Sequence, residues 1–121
     1  MKLAFPVSEK SVDSNIHETF GRAPYYLIYD TNSKEISYLD HRAVVAQGAS
    51  GFRAAEVLAD NGIKAVITLQ CGENAEKILR NAEVLVYEAM PGTIKENLEA
   101  FNNSKLSLLD KFIQRNPGSD V

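Results

Sequence analysis

The sequence predicts one α/β domain, a three-layer α/β/α sandwich built on a five-stranded mixed sheet. Three observations carry that expectation. Short β-branched and aliphatic runs alternate with segments of helical period in the second half of the chain, which is the pattern of a sheet covered by helices. The stretch from Gly62 to Ala75 reads as a buried strand, a tight polar turn and the start of a helix. Two aromatic-rich runs, Tyr25 to Asp30 and Glu35 to Asp40, flank the polar connector Thr31-Asn32-Ser33-Lys34, which suits an antiparallel hairpin.

Taken in order, Lys2-Leu3-Ala4-Phe5-Pro6-Val7 reads as the first strand, with Pro6 near its end because proline cannot donate to a ladder. Ser8 to Pro24 is polar, lacks a period and reads as a long loop of the kind that carries function. The hairpin supplies the second and third strands, the second running antiparallel to the others. His41 to Ser50 reads as a further loop. A helix follows from about Gly51 to Asn61, with Phe52, Ala55, Leu58 and Ala59 as its apolar side and Gly62 as its C-cap. Val66, Ile67 and Leu69 belong to the fourth strand. Beyond the turn, Ala75, Ile78, Leu79 and Ala82 recur at i, i+3, i+4 and i+7 and place one apolar stripe on a helix. Val84-Leu85-Val86-Tyr87 is the fifth strand. Thr93 with Glu96 forms a capping box that opens a helix whose stripe is Ile94, Leu98 and Phe101. Ser107 with Asp110 reads as one more start, and Leu108, Leu109, Phe112 and Ile113 extend that last helix toward Pro117.

Composition bounds the function. At 121 residues and 45% hydrophobic the chain closes a single core. A net charge of −3, with lysines and arginines spread along the chain, gives no basic face for nucleic acid. No apolar run approaches the roughly 18 to 20 residues of a membrane span, and the amino terminus lacks a signal-type apolar core, so a cytoplasmic location is expected. The first strand offers no carboxylate of the kind a metal-dependent nuclease would need.

Several segments together resemble the dinitrogenase iron-molybdenum cofactor biosynthesis family. They are Gly48-Ala49-Ser50-Gly51-Phe52-Arg53-Ala54-Ala55-Glu56, the run Leu58 to Ile67, Gly72-Glu73-Asn74-Ala75, Val86-Tyr87-Glu88-Ala89 and Gly92-Thr93. Thr19-Phe20-Gly21-Arg22-Ala23-Pro24 matches the family's His-Phe-Gly-Arg-Ala-Pro signature, with Thr19 in place of the signature histidine. The resemblance covers residues 1–106 and leaves 107–121 as a C-terminal helix and tail packed on the domain or on a partner. It implies a ribonuclease H-like motif with sheet order 3-2-1-4-5, so that strands one, three, four and five finish at one edge. It further implies a non-catalytic carrier or binding protein for an anionic iron-sulfur or iron-molybdenum cluster or its precursor, exchanging with cluster donor or acceptor proteins.

The loops gathered at that edge hold both histidines and the single cysteine. His17, His41 and Cys71 are therefore the candidate metal ligands, imidazole and thiolate being suited to iron, zinc or copper. Cys71 precedes a helix N-terminus, which favours thiolate, while the charge of Glu73 opposes it. Gly72, Asn74 and Gly51, at helix starts, together with Phe20, Gly21 and Arg22 of the signature, are candidate cofactor contacts, and Arg42 is a further cation on the same edge. The bland readings compete residue by residue: Cys71 packed beneath its turn, Phe20 as a loop anchor, Gly51 as a close-packing position, Thr93 as a cap. Two alternative functions stand beside the carrier. One is an enzyme with Cys71 as nucleophile and a histidine as base; the other is a structural module dimerising through the terminal helix.

Overall fold

The computed structural model describes residues 1–48 and 50–113. Its sheet has the order β3-β2-β1-β4-β5, formed by β1 (Lys2–Val7), β2 (Tyr25–Asp30), β3 (Ile36–Asp40), β4 (Ile63–Thr68) and β5 (Leu85–Glu88). β2 is antiparallel to both neighbours, Lys2 standing opposite Asp30 and Tyr25 opposite Asp40, whereas β1, β4 and β5 run parallel. Four strands thus end at one rim.

Alternation along the strands sorts side chains onto two faces. Ala4, Tyr26 and Val66 point to one face, joined there by Ile63 across a break in the β1–β4 register, and pack with Ala54, Ala55 and Leu58 of α2 (Ser50–Asp60) and Ala75 and Leu79 of α3 (Glu73–Asn81). Leu3, Phe5, Leu27, Ala65 and Ile67 point to the other, against Ile94, Leu98 and Phe101 of α4 (Ile94–Asn102). The three layers follow directly.

Helix boundaries follow local chemistry. Gly62 sits at φ +74°, the left-handed position that closes α2. The expected capping box opens α4: the Glu96 N–H donates to Thr93 Oγ1 at 3.1 Å, and the Thr93 N–H donates to Glu96 Oε1 at 2.9 Å.

Three expectations are corrected. Arg42–Gln47 is a short helix, α1, inside the stretch read as loop. It buries none of its residues and its N-cap makes no side-chain hydrogen bond, so it carries neither a stripe nor a cap to read. Phe52 is 48% exposed, because Gly51, Ala54, Ala55 and Leu58 form the inward face of α2 and Phe52 lies about 100° round from Gly51. Small residues inward let the helix approach the sheet closely. Finally, the helix expected from Ser107 is absent over 107–113. That segment runs extended beside the edge strand β5, where the Glu88 N–H donates to Ser107 O at 2.8 Å and the Leu109 N–H to Val86 O at 2.9 Å. An edge strand presents unpaired backbone groups, and satisfying them outweighs the propensity of one short stripe for helix. The remainder of the expected helix lies outside the described residues. Among the described residues no helix is long and apolar enough to cross a membrane.

Candidate functional site at the carboxyl rim

The loops that leave the rim are stitched to one another by main-chain hydrogen bonds. Residues 12–16 cross beneath the start of α4, with the Ile16 N–H donating to Gly92 O at 2.9 Å and the Ile94 N–H to Ser14 O at 3.0 Å. The Phe20 N–H donates to Gln70 O at 3.0 Å, joining the signature segment to the β4–α3 turn. Asn97, wholly buried, fastens the β5–α4 turn: it accepts from the Met90 N–H at 2.7 Å and donates to the carbonyls of Met90 at 2.9 Å and Thr93 at 3.0 Å. Sequence reading passed over Asn97, although an amide on the inward stripe of an amphipathic helix is the signal that finds such a residue.

Cys71 is sealed in the core at 0% exposure. Its S–H donates to the Gly72 carbonyl at 3.5 Å, and burial, reinforced by the charge of Glu76, pushes the thiol up to about 12. The helix N-terminus therefore does not yield a thiolate here; desolvation wins. The carboxylate acting on the sulfur belongs to Glu76, and Glu73 lies 3.5 Å from Lys77. The first amide of α3 is also engaged, since the Glu73 N–H donates to Ile113 O at 3.0 Å.

The histidines separate. His41 is 2% exposed and meets the buried Tyr26 edge-on, with ring centroids 5.4 Å apart, and the His41 main-chain N–H donates to Pro24 O at 2.9 Å. His17 is half-buried at the rim, and its ring folds back onto residue 19. The Thr19 N–H donates to His17 Nδ1 at 3.2 Å in one tautomer, and in the other Nδ1–H donates to Thr19 O at 3.0 Å. Among the described residues no three histidine, cysteine or acidic side chains gather as a metal cage, so His17, His41 and Cys71 are not brought together.

The signature segment forms a 3-10 turn, Phe20–Arg22, packed on α2. Phe20 and Gly21 are buried, and the Tyr26 hydroxyl donates to Phe20 O, so the aromatic is a core anchor. Gly51 is buried in the first turn of α2, in keeping with a close-packing role. Arg22 and Asn74 are exposed on the rim. Arg42 is held by Asp40, Nη2 to Oδ2 being 2.8 Å, and lies over the Tyr25 ring at 5.3 Å. That pairing keeps the Asp40 carboxyl at about 2.

Comparison with known proteins adds the family. The family model for the dinitrogenase iron-molybdenum cofactor matches residues 1–104. The chain belongs to this family. A NifB-like Thermotoga protein, TM1290, is 30% identical and superposes with a TM-score of 0.81 over 95% of this chain and 98% of its own. The apo form of the orange protein from Desulfovibrio gigas has the same fold, with a TM-score of 0.84 at 23% identity over 89% of this chain and 92% of its own. The uncharacterized protein MJ0580 of Methanocaldococcus jannaschii is 25% identical over 109 residues, 88% of this chain and 89% of its own.

Proposed function

We propose that this member of the dinitrogenase iron-molybdenum cofactor family is a non-catalytic binding or carrier protein that takes an anionic iron-sulfur-based cluster, or its precursor, as cargo at the carboxyl rim. The single observation that carries the reading is the placement of His17. Its imidazole rests on the main chain of Thr19, the position at which the family signature has histidine. A ring two residues upstream thereby serves the signature position, and the exposed Arg22 ends the 3-10 turn that follows it. Imidazole provides a soft donor to a cluster metal and arginine provides charge to an anionic one. Cys71, buried and protonated, gives no support to a thiolate nucleophile, which favours binding over catalysis at this rim.

The test is anaerobic incubation of the apo protein with a cluster donor, followed by desalting and assay for iron, molybdenum and charge-transfer absorption. Retained metal in the parent protein is expected, with a loss of about tenfold or more in His17→Ala and Arg22→Ala, and parent-like retention in Ser37→Ala on the far side of the sheet. A parent protein that emerges metal-free and colourless overturns the reading.

A further inference from the structure

Residues 107–113 lie beyond the stretch matched by the family, 1–104, yet they make the last closure of the rim. Among the described residues, their main-chain hydrogen bonds to the rest of the fold fall at two places. At one end Ser107 and Leu109 bond to β5 through Glu88 and Val86. At the other, the Ile113 N–H donates to Cys71 O at 3.1 Å while Ile113 O accepts from the Glu73 N–H at 3.0 Å, so one residue clamps both sides of the β4–α3 turn. Leu109 and Phe112 pack against the hydrophobic cluster that contains Cys71, and both remain partly exposed. Leu108, Asp110 and Lys111 face solvent. Between those hydrogen bonds the segment is held to the cluster by Phe112. It leaves an open recess of about 320 Å³ with Leu69, Gln70 and Glu88 on the rim side and Leu109, Lys111 and Ile113 on the segment side. A piece held by four main-chain hydrogen bonds and two half-exposed apolar side chains beside an open recess belongs to the low-stability end of a fold's local opening spectrum.

We propose that residues 107–113 are a detachable strap that covers the Cys71 turn, and that its release, with the sheet intact, exposes the thiol and frees the first amide of α3. In the closed state the turn presents neither group. In the open state it presents a sulfur donor and an N–H at the helix start, so access to the turn is set by the strap equilibrium. The inference is independent of the cargo reading, because its readouts require no metal.

The test uses the full chain. Native-state hydrogen exchange on the parent protein is expected to show the Glu73, Leu109 and Ile113 amides exchanging together, at least tenfold faster than Ala4 and Val66 in the central strands. Ile113→Pro removes the N–H given to Cys71, and Phe112→Ala removes the packed ring. Each is expected to raise the rate of Cys71 alkylation by iodoacetamide about tenfold or more while exchange at Ala4 and Val66 stays at parent values. Two results overturn the strap. One is exchange of Glu73, Leu109 and Ile113 in step with the central strands in the parent protein. The other is alkylation at the parent rate in both variants, and the parent measurement decides if either variant fails to fold.

Discussion

Cys71 shows how burial overrules position. Its place before a helix N-terminus was readable, and so was an opposing carboxylate, although the one that acts is Glu76 and not Glu73; the balance between them depends on desolvation, which only the packing of Phe20, Tyr26 and Ala75 in the same cluster supplies. The sign of the consequence is definite. The folded thiol ionises at about 12 against an ordinary 9.0, so its contribution to stability is complete below about pH 9 and is lost as pH rises toward 12. Stability of the parent protein is expected to decline above pH 9 at up to about 1.4 kcal/mol per pH unit, with buried Tyr26, also raised, adding at higher pH. Cys71→Ala removes the portion that begins near pH 9. Urea unfolding at pH 8, 9, 10 and 11 checks this, and an identical pH slope in the two proteins would mean the sulfur is not desolvated. His17 illustrates the converse case: its closeness in sequence to Thr19 was visible, whereas the fold-back of its ring onto residue 19 is a property of the loop that Pro6 holds through the His17 N–H at 2.8 Å.

At the scale of elements, legibility follows length and local chemistry. The hairpin, the β4–α3 unit and α4 all carry a period together with a turn or cap signal, and they form as expected. The capping box is the most local of these signals. Thr93→Ala is expected to destabilise the protein by about 1 kcal/mol, read from the shift in urea midpoint at unchanged slope. A midpoint equal to the parent's would show that the neighbouring amide of Asn97, bonded to Thr93 O, suffices to hold the turn. Two elements were not legible. α1 is six residues long and buries nothing, so no stripe marks it. Residues 108, 109, 112 and 113 repeat at helical spacing, but a four-residue stripe cannot reveal that an edge strand is waiting for a neighbour.

At the scale of the molecule, the sheet separates two apolar clusters, one under α2 and α3 and the other under α4. Substitutions on opposite faces share no packing partner, so their effects should add. Leu58→Ala is expected to cost about 2 to 5 kcal/mol and Ile94→Val about 0.5 to 1.5 kcal/mol, with a coupling below about 0.5 kcal/mol in the double variant. A larger coupling in equilibrium unfolding would mean that the sheet transmits strain between its faces. The number of strands was readable from the chain alone, but their order came through the family resemblance, since crossover connections leave no mark on the residues they join. The two flanks of the finished sheet are unequal. Beside β5 the main chain is taken up by residues 107–109, whereas β3, with Ile36 42% exposed, has no further strand beyond it among the described residues. Among the described residues, the main chain of β3 is therefore a berth for a visiting strand. Two molecules joined edge to edge at β3 would consume each other's vacancy there.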